Sequence, residues 1–167
     1  PRTDSVVLHF GKYENGGFRL PEEGISSITE YNDSLMVIST ATTLNVFDRK
    51  NQRIRSVGKP DVMSGFIASL ETDNQGYVWV STSNGLYRVN IFKGVFVRFT
   101  RTDGIDNENF ILNASGKLQD GRLVFGASNQ FIVFDPALMN MPMVPHHATI
   151  TDFRVNNKSL NLVSLFL

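Results

Sequence analysis

Short apolar runs separated by small polar residues recur along the chain, and residues 66–90 show the pattern most clearly. One run begins at Ile67, a second covers residues 77–80, and a third covers residues 86–89. The separating segments contain Asp, Asn and Gly, which favour tight turns. Because the runs are rich in β-branched and aromatic residues, they predict three short strands joined by hairpin turns.

The same pattern returns at a regular spacing. The last apolar positions of the third strands recur at intervals of roughly 40 residues, the period of a four-stranded propeller blade. These positions are Phe10, Phe47, Val89 and Phe134. The second strand of each copy ends in a small residue that lets neighbouring sheets approach closely; these residues are Ser39, Ser81 and Gly126.

One four-stranded sheet cannot bury both of its faces, so such copies have to stack on one another. The sequence therefore predicts an all-β fold of stacked β-propeller blades, and an ordinary antiparallel sandwich is the alternative. Trp79 lies in the second strand of its copy, where we expect a core position rather than a sugar-stacking one. We predict no helix.

The repeat also predicts how the chain is divided. Residues 1–10 align with the end of a copy, so we expect about three complete blades, one partial blade and an incomplete ring. Residues 1–145 would be these blades, and residues 146–167 a linker with the first strands of another domain. An unpaired sheet edge tends to recruit another chain, so we expect self-association or a partner segment at the open edges.

Composition excludes several classes of function. The 167 residues include 16 basic and 16 acidic side chains, and this balance lacks the basic excess of a nucleic-acid binder. The chain has no Cys, which excludes disulfides and thiolate metal sites. No apolar run reaches the roughly 20 residues of a membrane-spanning helix. The chain does not begin with Met and carries no signal peptide, so we expect a processed or excised piece.

Candidate chemistry is sparse. His146 and His147 are adjacent without a nearby acidic cluster, so we expect no metal site and no cofactor. Glu22 and Glu23 lie in a Pro/Gly turn and should be solvated, while Asp73 should serve its own turn. We therefore expect no catalytic residue. If a ligand binds, loop amides and an arginine suit sugar hydroxyls; the candidate residues are Asn84, Arg101, Asn107 and Asn129.

Residues 71–88, ETDNQGYVWVSTSNGLYR, resemble the repeat of the two-component regulator propeller family. The copy at residues 25–48 departs from it, because Met36 or Val37 stands in place of the family's Trp and Thr43 in place of a Gly. Residues 110–135 resemble the last-blade variant. Residues 150–158 resemble the opening of the Y_Y_Y β-sandwich domain that follows such propellers.

The resemblance implies a periplasmic, oligosaccharide-sensing domain of a hybrid two-component system of the Bacteroides type. It also implies a signal passed through a Y_Y_Y domain and a membrane helix to a histidine kinase, whose sequence is absent here. The fragment's partners would then be an oligosaccharide, the rest of the propeller and the kinase, and the fragment itself would not be an enzyme. A protein-interaction scaffold is the alternative, and a carbohydrate-active propeller enzyme is a further one.

Overall fold

Antiparallel strands make up nearly all of the regular structure. The computed structural model describes Phe10, Gly11, Tyr13, residues 19–58 and 62–139, and the backbone of residues 154–155 and 158–159. The strands in these residues are β1 (Ser27–Asn32), β2 (Leu35–Ser39), β3 (Leu44–Asp48), β4 (Arg53–Ser56), β5 (Ile67–Thr72), β6 (Val78–Thr82), β7 (Gly85–Asn90), β8 (Val95–Phe99), β9 (Phe110–Lys117), β10 (Leu123–Ala127), β11 (Phe131–Phe134), β12 (Arg154–Val155) and β13 (Lys158–Ser159).

Each predicted copy forms its own sheet. Strands β1 to β4 pair in sequence order as the first sheet, and β5 to β8 form the second in the same way. In the described residues the third sheet has the three strands β9 to β11, and β12 pairs with β13. The prediction of all-β antiparallel blades is confirmed. Residues 1–9 and most of residues 140–167, with the predicted partial blade, the histidine pair and the domain boundary, lie outside the described residues.

The loop predicted at residues 101–109 contains one short element that the sequence pattern did not predict. Residues Arg101–Asp103 form a single 3₁₀ turn. The carboxylate of Asp103 accepts a hydrogen bond of 2.8 Å from the Thr100 backbone N–H, which closes the turn. Among the described residues, no helix has the length and apolar character needed to span a membrane.

The three sheets approach one another most closely along their first strands. Strand β5 lies against both β1 and β9. Side chains join these strands directly, because the Thr72 hydroxyl donates to the Glu30 carbonyl and the Ser115 hydroxyl donates to the Glu71 carboxylate. The sheets therefore fan out from their first strands, as blades do.

The middle sheet is buried on both faces because its side chains alternate. Val78 and Val80 belong to a core shared with the first sheet, whereas Trp79 between them belongs to a core shared with the third sheet. Burial of each such side chain contributes about 1.5–3 kcal/mol. A bulge between Ile67 and Ser69 shifts the phase of β5, so Ile67 and Leu70 both face the first sheet.

Small side chains occupy the same place in every sheet. The hydroxyls of Ser69 and Ser81 lie 2.7 Å apart, and Ser26 and Ser39 make the equivalent 2.7 Å contact in the first sheet. In the third sheet a side chain at Gly126 would put its Cβ 2.9 Å from that of Ala114. These contacts join the first two strands within one sheet, so they do not test the prediction that the small residues let neighbouring sheets approach.

Asp73 joins the turn before β6 to the core. One carboxylate oxygen accepts the backbone N–H groups of Gln75 and Tyr77, each at 2.9 Å, and the other accepts the Trp79 indole N–H at 2.8 Å. Gly76 completes the turn at φ +83°, a conformation that favours glycine. Trp79 is fully buried, so the prediction of a core tryptophan is confirmed and its one polar atom is satisfied.

Replacing Asp73 by Ala should destabilise the protein by about 2–4 kcal/mol, because it leaves a buried indole N–H unpaired and removes two turn hydrogen bonds. The measurement is urea unfolding followed by Trp79 fluorescence. Asp120 provides the matched control, since it lies exposed in the corresponding turn of the third sheet and bonds Arg122. Equal losses in Asp73→Ala and Asp120→Ala would contradict this assignment.

Glu71 is the half-buried carboxylate between the second and third sheets. Burial raises the pKa of Glu71, and the hydrogen bond from Ser115 and the charge of Lys117 offset only part of this effect. The folded state therefore holds the Glu71 proton more tightly than the unfolded state does. Stability consequently falls as pH rises from the ordinary value of 4.5 through the raised pKa, and the loss persists at higher pH.

We expect Glu71→Gln to be more stable than the wild type at pH 7, because Gln keeps an acceptor for Ser115 and carries no buried charge. The difference should shrink as pH falls below 4.5. Chemical denaturation from pH 3.5 to 8 would measure it, with the exposed Glu30→Gln as the control. A Glu71→Gln variant that is less stable than the wild type at pH 7 would rule this account out.

The third sheet presents an open edge and an exposed face in the described residues. Strand β11 pairs only with β10 there, and the Phe131 side chain is 70% exposed.

We propose that chains associate through this edge. Sedimentation velocity should show concentration-dependent oligomers that Phe131→Ser weakens. The control is Tyr13→Ser, which replaces an exposed aromatic residue far from β11 in the sequence and should not weaken the oligomers. A monomer at millimolar concentration would refute the proposal.

Candidate functional site

All four ligand-binding candidates lie at one end of the sheets, which we call the loop end. This end carries the β2–β3, β6–β7 and β10–β11 turns and the connections between sheets. Asn84 lies in the β6–β7 turn, Arg101 and Asn107 lie between β8 and β9, and Asn129 lies in the β10–β11 turn. Consecutive strands run in opposite directions, so every turn or connection that follows an even-numbered strand lies at the same end of the sheets.

Glu108 organises half of the loop end. Its carboxylate forms a 3.0 Å ion pair with Arg98 and accepts the Arg101 backbone N–H at 3.1 Å. Arg98 also donates to the Asn84 carbonyl at 2.7 Å, and the Asn84 amide donates to the Ser64 hydroxyl at 2.6 Å. The structure thus brings Asn84 and Arg101 together through Arg98 and Glu108, two residues that the sequence analysis did not single out.

Asn107 and Asn129 form the second polar group of the loop end. The Asn107 amide donates to the Asn129 side-chain oxygen at 2.6 Å and to the Ser128 hydroxyl at 2.9 Å. Its own oxygen accepts the Asn109 backbone N–H at 2.9 Å. These bonds hold the β8–β9 connection against the β10–β11 turn, so the amides serve the loops. That Asn107 and Asn129 also contact a ligand stays a prediction.

A cleft of about 380 Å³ opens at the loop end where the three first strands begin. Ile25 before β1, Phe66 before β5, and Leu112 and Asn113 in β9 line it together with Glu23. The Phe66 ring is 67% exposed. Its backbone is fixed, because the Phe66 N–H donates to the Ser83 hydroxyl at 3.0 Å and its carbonyl accepts the Ser83 N–H at 2.9 Å.

A wide bulge in β9 presents Leu112 and Asn113 to this cleft. Residues 110–115 of β9 lie opposite residues 125–127 of β10, so the pairing skips several β9 positions. Asn113 has φ +56°, in the left-handed region that a non-glycine residue seldom adopts. Bulges and such strained residues are concentrated at functional sites. No hydrophobic period signals a bulge, which is why the sequence analysis missed these residues.

Glu22 at the loop end is held by hydrogen bonds from neighbouring threonines. Burial acts to raise the pKa of Glu22, but hydrogen bonds from Thr40, Thr42 and Thr43 outweigh it and hold that pKa below its ordinary value. Glu22 was expected to be solvated; it instead caps the β2–β3 turn through bonds of 2.6 Å to Thr40 and Thr42. A carboxyl group with a lowered pKa is poorly suited to act as a general acid.

A larger cleft, of about 870 Å³, lies at the opposite end of the first two sheets beside Asp48, Arg55 and Phe92. Its polar groups are largely engaged in the fold. The Asp48 carboxylate accepts backbone N–H groups of its own turn, and the Arg55 guanidinium donates to the Ile91 carbonyl at 3.2 Å. Two backbone irregularities lie near this cleft, a register shift between Glu30 and Asn32 in β1 and Gln52 at φ +51° in the β3–β4 turn, but neither residue of left-handed or shifted backbone lines it. The loop end is therefore the better candidate site.

The described residues contain no group of three or more His, Asp or Glu side chains arranged to hold a metal ion. Glu71, whose pKa burial raises, is half-buried between two sheets and bonded to Ser115. It lies in β5 rather than in a cleft lining. What the loop end offers chemically is hydrogen-bonding groups and one exposed aromatic ring.

Comparison with known proteins yields structural likeness without a sequence match. No protein family and no curated protein matches the chain by sequence. The extracellular domain assigned to the hybrid two-component system BT3049 from B. thetaiotaomicron superposes with a TM-score of 0.59 at 19% identity, over 80% of this chain and 20% of that one.

Two further structures show the same fold. The extracellular domain assigned to the hybrid two-component system BT4673 from B. thetaiotaomicron gives a TM-score of 0.55 at 23% identity, over 75% of this chain and 16% of that one. Virginiamycin B lyase from Staphylococcus aureus gives 0.50 at 16% identity, over 67% and 41%. The chain thus spans a fifth or less of the two-component domains, and it shares with them the propeller-blade fold that its repeat predicts.

Proposed function

We propose that this chain is part of a non-catalytic, extracytoplasmic sensor domain of a hybrid two-component system, and that it helps to bind an oligosaccharide at the loop end. The observation that carries the proposal is the convergence of loops from all three sheets on one surface of hydrogen-bonding side chains. Amides, hydroxyls and charged groups held in fixed positions suit the many hydroxyls of a sugar. The likeness to extracellular domains of two-component systems supports the cellular role.

The architecture suits a relay from ligand to partner. Rigid strands hold the loop end, and the packed interfaces between sheets resist gradual deformation, so a ligand that touches several sheets shifts them as units. In the proposed role this shift passes to the segment after the third sheet and onward to a transmembrane histidine kinase. Periplasmic placement of the chain is part of the same proposal.

The alternative of a carbohydrate-active propeller enzyme requires a general acid and base placed around a bound substrate. At the loop end the hydrogen bonds of Glu22 lower the pKa of its carboxyl group, and Glu108 is engaged by Arg98 and the Arg101 N–H. Both carboxylates are thus engaged by hydrogen bonds within the fold. The arrangement favours binding without turnover.

A glycan array probed with the fluorescently labelled chain tests the proposal. We expect retention on a restricted group of oligosaccharides, competition by the same sugars in free form, and no release of reducing ends over a day. Arg98→Ala should weaken retention, because it frees the Asn84 and Glu108 loops from each other. Arg122→Ala, an exposed arginine of the opposite turns, is the control. Retention of no glycan, or release of sugar, would overturn the proposal.

A further inference from the structure

We infer that Arg88 is a latch for a detachable turn. The turn is formed by residues 135–139, where the chain leaves the third sheet, and we call it the exit turn. When the latch opens, the exit turn separates from the second sheet while the sheets themselves stay folded. This device goes beyond the proposed function, because it needs no ligand. Within that function, the exit turn would be the place at which a shift of the sheets is passed on.

Arg88 stands where the repeat otherwise has an apolar residue. Each sheet pairs two residues at this place of its second and third strands: Val37 with Val46, Trp79 with Arg88, and Val124 with Val133. Val46 is buried in the core between the first two sheets, so an apolar side chain at this position serves the packing of one sheet on the next. Residues that break such a pattern are expected at functional positions.

The second sheet holds the Arg88 guanidinium in place. Its central carbon lies 4.9 Å from the centre of the Tyr77 ring and 5.9 Å from the centres of the Trp79 and Phe99 rings. Attraction between a cation and aromatic faces fixes the group at these distances. One terminal nitrogen then donates to the Met139 carbonyl at 3.0 Å. Because all three rings belong to the second sheet and the turn before β6, the donor keeps its position when Met139 leaves.

The exit turn keeps its own shape. The Leu138 N–H donates to the Asp135 carbonyl at 3.1 Å, and the Met139 N–H donates to the Pro136 carbonyl at 3.2 Å. Both bonds lie within the turn, so they survive its separation from the sheets. The Leu138 side chain is 83% exposed, whereas the Met139 side chain packs against the core between the second and third sheets. The turn can therefore move as one piece.

The exit turn also fits loosely against the second sheet. A cleft of about 70 Å³ lies between Pro136 and Gln75 of the β5–β6 turn, which is room enough for water. When the latch opens, Arg88 and the Met139 carbonyl exchange their hydrogen bond for bonds to water, and the net cost of such an exchange is small. The apolar cores between the sheets are kept. Segments of this kind open before the core unfolds.

The composition of the chain allows a direct test. It has no Cys and a single Trp, so Leu138→Cys takes one fluorescent acceptor whose distance from Trp79 reports the position of the exit turn. In a urea titration of the whole chain, we expect energy transfer from Trp79 to fall at a lower urea concentration than the circular dichroism of the sheets. A single transition shared by both signals would overturn the latch.

Arg88→Met in the labelled chain removes the donor and keeps a long, unbranched side chain among the rings. We expect the detached fraction without urea, measured by the Trp79 fluorescence lifetime, to rise about fivefold or more because the bond to Met139 is lost. The circular dichroism transition should not move, since replacing a buried charge by Met need not destabilise a core.

Arg122→Met is the matched control, because it removes an exposed arginine from the β9–β10 turn. It should change neither signal. An unchanged detached fraction in Arg88→Met would overturn the latch, as would an equal rise in Arg122→Met or a shift of both urea transitions together in Arg88→Met. None of these measurements uses a glycan, so the latch and the proposed function fail separately.

Discussion

The burial of both faces of the middle sheet is the constraint on which the rest of this structure depends. Val78 and Val80 pack toward the first sheet while Trp79 packs toward the third, so one strand contributes to two cores. A sheet of this kind has no stable existence alone, because either face left bare would expose a row of large apolar side chains. The neighbouring sheets are thus as necessary to the second sheet as its own hydrogen bonds.

That constraint decides where the chain can carry functional groups. Stacking brings the first strands β1, β5 and β9 side by side, and it aligns the points at which they begin. Segments about 40 residues apart in the sequence then form one cleft, with Ile25, Phe66 and Asn113 each supplied by a different sheet. The small pairs, such as Ser69 with Ser81, keep the strands of each sheet close together.

The sequence pattern was sufficient for the sheets because side-chain period and turn chemistry are local properties. The Asp73 turn, the buried Trp79 and the small residues at strand ends all follow from residues within a few positions of one another.

The placement of Asn84 and Arg101 at one end of the sheets follows from the alternating directions of the strands. Their link through Arg98 and Glu108 does not, since it joins separate loops. The β9 bulge is likewise invisible to periodicity, which is why Asn113 emerged only from the fold.

The two ends of the sheets differ in how their polar groups are used, and this difference bears on the proposed function. Away from the loop end, Asp73 fixes the β5–β6 turn, and Arg88 lies over the Tyr77 ring while donating to the Met139 carbonyl at 3.0 Å. Arg88 thereby ties the segment that leaves the third sheet to the second sheet. The Phe66–Asn113 cleft also lies between those two sheets, and Met139 packs against the core that they share. In the proposed function, a ligand that favours one spacing of these two sheets would act on the segment at Met139 through the interface that the sheets share.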